Sequence, residues 1–491
     1  MQNHYESFSV CLDRIIRRRE LSPAQLSRIL GHKSRTTLSR IFNGTAGIDS
    51  IRKIRSEVCG CEELELTEDE KNALTTSVEV DEAGTSVLRA RDEIRQLLRP
   101  VQRKEQPILI RTGSGQIPLS HMTEKLNNAD ESEVLVLNCA WNAMAGEMYT
   151  LLNTIPLERL TVRHYMAINA DPARTASMIG TMIGLFGFVN YSCWSISGGD
   201  DPTGTLAFMG MNSIAIRTRK GGKTEEYQLI FTGEYSGVML CADGTYAYWE
   251  QYLQELNRDA CSVKTTYPHI TSADDYVSFT DTYRRIEENR NIYMYKPDFC
   301  LPLIPTRIQL QSCRDNAAQI GLNIPDFMET LEELEKIQEA RFRNFFMQKK
   351  AVHLILFPSA IRQFAKTGLQ SDHFYLMRPY TVDERIEIMS HLAHQLRTNP
   401  YFNIYLLRNE NSFLEMEATY YEGKGVQFTP AHTDYNLSSG HTEAIITNEV
   451  FCDLFLQFFR DDLLKNHVYS PAASLFLLES LISELKNKTA E

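Results

Sequence analysis

Apolar residues in the first 60 positions recur at helical spacing and predict a bundle of short helices. The first helix spans roughly residues 7–20, with Leu12, Ile15 and Ile16 on its apolar side and arginines on the other. Ser22 is suited to the N-cap of a second helix because its hydroxyl can accept a hydrogen bond from a free backbone N–H. Gly31 then ends this helix, and a turn leads to a third.

The third predicted helix, over 34–42, combines a narrow apolar side with a polar outer face. Leu38 and Ile41 are its apolar positions, and Asn43-Gly44 closes it. Arginine can pair bidentately with guanine, while Ser and Thr reach base edges or phosphates. The pattern therefore predicts a helix that enters the major groove of duplex DNA. The alternative is a four-helix bundle whose arginines are only solvated, as surface charges usually are.

The segment from Leu21 to Gly44 resembles the helix-turn-helix of the lambda-repressor-like, or xenobiotic-response-element (XRE), family. A recognition helix of that family commonly has a sequence such as SRSTISRIENG, and this chain has SRTTLSRIFNG. The resemblance implies that Arg35, Thr36 and Arg40 reach base edges. The full set of expected DNA-binding residues is Ser22, Lys33, Ser34, Arg35, Thr36, Thr37, Ser39, Arg40 and Asn43. The chain departs from the family at Pro23, at Phe42 and in a turn that is longer by one residue at His32-Lys33.

Charge is distributed unevenly along the chain. Residues 1–60 contain eleven Lys and Arg against five Asp and Glu, whereas the whole chain has a net charge of −12. A basic segment followed by an acidic body predicts that contact with DNA is confined to the N-terminus, where phosphates can be neutralised.

Length and composition indicate a globular protein of several domains. The chain has 491 residues, of which 43% are hydrophobic and 10% aromatic, and this length predicts about three domains. No apolar run is long enough to cross a bilayer, and the first ten residues do not have the character of a signal peptide. We therefore expect a cytoplasmic protein without a membrane partner.

The ten cysteines are scattered and lack the paired spacing of a zinc site. They are expected to be reduced thiols, most of them buried. A redox sensor formed by Cys59 and Cys61 is the functional alternative.

Four regions are predicted in total. Residues 1–60 are the helix-turn-helix domain and 61–104 a helical linker, in which Thr67 and Glu70 form a capping box. Residues 105–311 and 312–491 are expected to form two α/β lobes. The fold class is thus multidomain, with an all-α N-terminal domain and a large α/β body.

The two lobes have similar predicted element orders. The first has strands at 133–138 and 160–168, then a hairpin around Gly221-Gly222 and a helix at 246–256. The second has strands at 352–357 and 402–407, a hairpin around 422–425, a strand at 444–447 and a helix at 450–464. These orders suggest two related lobes. The stretch 297–310, which contains three prolines, is expected to cross between them.

The body resembles the phospholipase-D-like fold, which also occurs as a catalytically silent sensor. Enzymes of that family carry His-x-Lys-x4-Asp in each lobe, and none of the twelve histidines begins such a motif. The common phosphate-loop, nucleophile-elbow and zinc-protease motifs are missing too. No catalytic residue, cofactor or metal ligand is predicted, and His391 and His394 are interpreted as helix-surface residues.

A set of candidate effector-pocket residues follows from the positions of the strands. Ligands of open α/β folds bind near the carboxyl ends of strands. The candidates are Trp141, Arg163, His164, Arg378 and Tyr380, and the alternative is that each is an ordinary rim or packing residue.

Taken together, the sequence predicts a DNA-binding transcription regulator of the XRE family that is not an enzyme. Its partners would be duplex DNA, a second copy of the chain in a homodimer, and a small-molecule or protein effector sensed by the body. Two alternatives remain open. One is an enzyme with an autoregulatory DNA-binding head, and the other is a DNA-tethered interaction scaffold.

Overall fold

The computed structural model describes most of the chain. The described residues are 6–19, 21–31, 36–97, 109–112, 115–118, 121–137, 159–168, 176, 178–180, 182, 191–197, 213–231, 236–241, 244–256, 261–262, 264–267, 273–317, 324–370, 377–412, 416–430 and 441–490. Two compact units are present. The first is Met1–Glu93, and the second, with Asp171–Ala173 excepted, is Ile94–Glu491.

The first unit is entirely helical. Its helices are α1 Phe8–Arg18, α2 Pro23–Ile29, α3 Thr36–Phe42, α4 Ile48–Cys59 and α5 Glu68–Ala83, with a 3₁₀ turn at Glu62–Leu64. Helix α6, Thr85–Leu97, begins in the first unit and ends in the second. The three helices predicted for this segment are therefore present, and α4 is a fourth.

A single apolar core holds the first unit together. Phe8, Leu12 and Ile15 of α1 pack with residues of α2, α3 and α4. Leu74 and Val78 of α5 belong to the same core and are at most 5% exposed. The acidic stretch that the sequence analysis assigned to a linker thus contributes a helix to this core, because its few apolar side chains fall on one face.

The first sheet of the second unit has nine strands in the order β2-β1-β8-β7-β6-β3-β4-β5-β9. Their bounds are β1 Leu109–Thr112, β2 Gly115–Pro118, β3 Glu131–Leu137, β4 Leu160–Ile168, β5 Tyr191–Ser197, β6 Ser213–Lys220, β7 Lys223–Phe231, β8 Ser236–Cys241 and β9 Cys261–Ser262. Helices α7, His121–Asn127, and α8, Thr245–Leu256, accompany this sheet.

The second sheet has eight strands in the order β10-β16-β15-β14-β11-β12-β13-β17. Their bounds are β10 Lys264–Tyr267, β11 Ile292–Lys296, β12 Val352–Leu356, β13 Phe402–Leu407, β14 Met416–Tyr421, β15 Gly425–Pro430, β16 His441–Ile446 and β17 Val468–Tyr469. The helices here are α9 Ala273–Glu287, α10 Thr306–Ala317, α11 Ile324–Phe346, α12 Pro358–Thr367, α13 Val382–Thr398, α14 Glu449–Phe458 and α15 Pro471–Ala490. A π-helical segment, Phe459–His467, continues α14, and short 3₁₀ turns lie at Leu301–Leu303 and Glu410–Ser412.

Seven strands of each sheet repeat one arrangement. In the first sheet β3, β4 and β5 are parallel neighbours, and β6, β7 and β8 extend the other side of β3 as antiparallel strands. In the second sheet β11, β12 and β13 are parallel in the same way, and β14, β15 and β16 extend β11. A last short strand, β9 or β17, pairs antiparallel with the third parallel strand. A helix, α8 or α14, lies between the sixth and seventh strands of each set.

The second sheet begins earlier in the chain than the sequence analysis placed the lobe boundary. Strands β10 and β11 belong to this sheet although both precede residue 312. The proline-rich stretch 297–310 contains the 3₁₀ turn and the start of α10, and its residues Leu301, Leu303 and Ile304 are buried in the core. Among the described residues, no helix combines the length and apolarity needed to cross a membrane.

Candidate functional site

Helix α2 begins at a complete capping box. The Ser22 hydroxyl accepts a hydrogen bond from the Gln25 backbone N–H at 3.3 Å, and the Gln25 side chain accepts one from the Ser22 N–H at 2.8 Å. Pro23 occupies the first helical position, where no N–H is needed. The sequence departure at Pro23 therefore stabilises the start of α2, and Ser22 itself is exposed.

Helix α3 has one buried side and one exposed side. Leu38 and Ile41 are each 2% exposed and belong to the core of the first unit. Thr36, Ser39 and Arg40 are exposed, and Thr37 is half-buried. This division follows from helical spacing, because residues three apart share a face. The outer face carries hydroxyl and guanidinium groups, which can donate hydrogen bonds.

The end of α3 fixes the backbone near Arg40. The Thr45 N–H donates to the Arg40 carbonyl at 2.8 Å, and the Gly44 N–H donates to that of Ile41 at 2.9 Å. Gly44 has φ of +66°, a left-handed conformation that favours glycine. The Arg40 guanidinium donates to the Thr45 carbonyl at 3.3 Å on the surface. Asn43, at this end, is also exposed.

Three of the expected DNA-binding residues fall outside the described part of the chain. These are Lys33, Ser34 and Arg35. Their roles at the start of the recognition helix stay predictions. The described portion of the surface comprises Ser22, Thr36, Thr37, Ser39, Arg40 and Asn43.

The acidic helix α5 neutralises two arginines of the basic segment. Arg19 forms a two-point ion pair with Glu70, at 2.9 and 2.6 Å. This pairing lowers the pKa of Glu70 to about 2. Arg52 pairs with Glu82. Residues 61–93 hold eleven Asp and Glu against three Lys and Arg, so this part of the unit is acidic.

The two expected effector residues in the first sheet, Arg163 and His164, have different surroundings. Arg163 donates to Glu250 at 2.8 Å. His164 is 0% exposed, and its Nδ1 lies 2.8 Å from the Tyr191 hydroxyl. Burial lowers the pKa of His164 to about 3. As consecutive residues of β4, the two side chains point to opposite faces of the sheet and do not converge on one ligand.

The expected effector residues before α13 are held by neighbouring elements. Arg378 donates to Glu384 at 2.8 and 2.9 Å and to Asp315 at 2.7 Å. Its pKa is raised by these contacts, and that of Glu384 is lowered to about 2. Tyr380 is 2% exposed. Trp141 lies outside the described residues, so the effector pocket stays a prediction.

Metal and thiol chemistry receive no support from the described residues. Among them, no group of three or more His, Cys, Asp or Glu side chains is arranged to hold a metal ion. Cys59 and Cys61 are free thiols. Burial raises the pKa of Cys59, which is the opposite of what a reactive thiol needs.

Comparison with known proteins gives a structural likeness that is weak. No family model matches the chain, and no curated protein does. The chain is similar to the solved structure of a phosphatidylserine synthase from Haemophilus influenzae Rd KW20, with a TM-score of 0.26 and 9% identity. The match covers 83% of this chain and 99% of that one. It provides no evidence for a helix-turn-helix.

This comparison corrects two expectations from the sequence. The chain was expected to be a transcription regulator and not an enzyme, whereas the matched structure is that of an enzyme. The comparison bears out neither expectation. At this level of similarity, the match assigns no family, activity or substrate to this chain.

Proposed function

We propose that α2 and α3 form a helix-turn-helix and that the first unit binds duplex DNA through the exposed face of α3. The observation that carries this proposal is the division of α3 into a buried side, Leu38 and Ile41, and an exposed side, Thr36, Ser39 and Arg40. A short helix anchored in this way presents its polar residues outward as a rigid set.

The distribution of charge supports the same surface. Arg28 and Arg40 are exposed on α2 and α3, whereas Glu70 and Glu82 of α5 pair with Arg19 and Arg52. The duplex would thus meet cations on α2 and α3, and the acidic helix would disfavour other orientations.

A second copy of the chain is the partner that this binding mode favours. One helix-turn-helix makes a small interface, and a dimer that contacts two half-sites about one DNA turn apart gains affinity. We infer a homodimer on DNA for this reason.

The proposal is tested by fluorescence anisotropy with a labelled duplex, at several salt concentrations. The intact chain is compared with a chain that lacks residues 1–93. The deletion ends at 93, and not at 60, because Leu74 and Val78 of α5 would otherwise lose their core partners. We expect salt-sensitive binding by the intact chain that disappears in the deletion. Equal binding by both proteins would refute the proposal.

A further inference from the structure

The central strands of the second sheet turn a row of polar side chains toward a partly open face. Tyr293 of β11, His353 of β12 and Asn403 of β13 lie opposite one another in adjacent parallel strands, so they share one face of the sheet. The neighbouring Val352 points to the other face and is 0% exposed in the core. Parallel strands are usually covered on both faces, yet His353 and Asn403 are only half-buried. We call Tyr293, His353 and Asn403 the polar row.

The rings around His353 form a stack that holds this side chain in place. The His353 ring stacks on Tyr293 with centroids 5.0 Å apart and on Tyr405 with centroids 5.9 Å apart. Burial and the charge of Arg460 lower the pKa of His353, so the ring is neutral at pH 7. Its Nδ1 lies 3.3 Å from the Tyr405 hydroxyl, which can donate to it and leave Nε2 as the N–H donor. Within the described part of the chain, neither Nε2 nor the Asn403 amide has a hydrogen-bond partner.

Arg460, on the π-helical segment, adds a cation beside the polar row. Its guanidinium lies 4.8 Å from the centre of the Tyr293 ring and donates to the Tyr293 hydroxyl, from Nε at 3.2 Å and also from Nη2. Among the described residues no carboxylate pairs with Arg460, and the following Asp461 and Asp462 form ion pairs with other cations. Arg460 is exposed, so a positive charge held in one position faces the solvent without a counter-ion from the described chain.

The first sheet also places an arginine over a tyrosine ring, and there the protein supplies the anions. Arg217 of β6 lies 4.2 Å from the centre of the Tyr246 ring of α8. Its guanidinium pairs with three carboxylates, at 3.0 to 3.4 Å, which are those of Glu226, Glu133 and Glu250. The corresponding cation of the second sheet has a phenol hydroxyl in place of these carboxylates.

We propose that the polar row and Arg460 form a binding site for a small organic anion, whose carboxylate or phosphate group is held by Arg460 and His353. A guanidinium carries five N–H donors in a fork that matches such oxyanions, and Arg460 directs only two of its nitrogens to one neutral oxygen. Two strand spacings, about 10 Å, separate Tyr293 from Asn403. The ligand would therefore have its anionic end at Arg460 and a hydrogen-bonding end at Asn403. This inference does not depend on DNA binding by the first unit.

The test is saturation-transfer NMR of the intact chain, titrated with 4-hydroxybenzoate and separately with phenyl phosphate at constant ionic strength. The neutral match, 4-hydroxybenzyl alcohol, is the comparison ligand. We expect saturable binding of an anion and none of the alcohol, and the stronger of the two anions identifies the carboxylate or the phosphate as the preferred group. In Arg460→Gln, which can still donate to Tyr293, binding is expected to weaken about tenfold or more.

Two further variants make the test decisive. Arg362→Gln removes an exposed arginine of α12 that also lacks a carboxylate partner in the described chain, and it should bind the anion as the wild type does. Asn403→Ala should weaken binding about fivefold and carries the test if Arg460→Gln does not fold. No saturable binding of either anion, equal affinity in wild type and Arg460→Gln, or an equal loss in Arg362→Gln would overturn the proposal.

Discussion

Replacing Arg40 by alanine should weaken DNA binding without weakening the fold. The Arg40 side chain is exposed at the end of α3 and makes one long surface hydrogen bond, to the Thr45 carbonyl at 3.3 Å. It does not contribute to the core, which Leu38 and Ile41 supply from the other side of the helix. The two effects of the substitution can therefore be separated.

The magnitudes follow from these contacts. An exposed hydrogen bond of this length contributes little, and alanine is the best helix former, so the free energy of unfolding should change by less than about 0.5 kcal/mol. In the complex, the guanidinium is expected to contact a base edge or a phosphate. Its loss should cost about 1–3 kcal/mol, which is about 5- to 150-fold in affinity.

The assay is fluorescence anisotropy of a duplex selected by the intact chain from a random pool. Urea unfolding of the same proteins measures stability. Arg343→Ala is the matched control because Arg343 is an exposed arginine of the second unit with one surface partner, Glu339. Wild-type affinity in Arg40→Ala would refute the assignment of this residue, and a large loss of stability would refute the reasoning about the fold.

Three further predictions concern the structure around the sites. Ser22→Ala removes the N-cap acceptor of α2 and should lower the stability of the first unit by about 1 kcal/mol in urea unfolding. His164 has a folded pKa of about 3 against an ordinary 6.5, so only the unfolded chain binds the proton between these values. The second unit should thus lose about 2 kcal/mol of its unfolding free energy between pH 7 and pH 5, and His164→Gln should lack that part of the slope. Gly368→Ala should cost about 2–4 kcal/mol in thermal unfolding, because φ is +72° and the added Cβ would clash with the Tyr380 carbonyl oxygen.

Each of these predictions has a control. For the cap, Ser22→Asp retains an acceptor and should keep the stability of the wild type, and equal losses in both variants would contradict the capping role. For the histidine, an identical pH slope in wild type and His164→Gln would contradict the assignment of the proton. For Gly368, the control is Gly244→Ala, which has φ of +83° but open space at its Cβ. A similar loss of stability in both variants would show that the contact with Tyr380 does not contribute to the cost.

Local pattern identified many of the helices and strands. Strands β12 and β13 agree with their sequence predictions to within one residue, because short runs rich in apolar and aromatic residues are distinctive signals. Strand β11 was missed. Its sequence, Ile-Tyr-Met-Tyr-Lys, is short and precedes a proline, and only its two neighbours in the sheet identify it as central.

The features that the sequence did not predict depend on contacts between elements that are distant in the chain. Helix α5 has the composition of an acidic linker, and its role in the core depends on two residues, Leu74 and Val78, that meet α1 and α4. The hairpin of β14 and β15 has the alternation of a half-solvated sheet. Its polar side is nevertheless buried, since α9 places Tyr283 against it, and no local pattern could indicate that.

For the α2–α3 surface, the sequence predicted which side chains are exposed. It did not predict the ion pairs that α5 forms with neighbouring arginines. The exposed positions Thr36, Ser39 and Arg40 follow from helical spacing around Leu38 and Ile41. The ion pairs that join α5 to Arg19 and Arg52 connect residues 30 or more positions apart, and sequence spacing carries no information about such contacts.

Site-specific photo-cross-linking from α3 tests the central proposal most directly. Ser39→Cys, on the exposed face of α3, is coupled to a photoreactive group, and Thr75→Cys, on the exposed face of α5, is the matched control in the same unit. The unsubstituted chain reports any background from its own cysteines. We predict cross-linking of a labelled duplex from position 39 and not from position 75. Equal cross-linking from both positions, or none from position 39 under conditions in which the duplex is bound, would contradict the account.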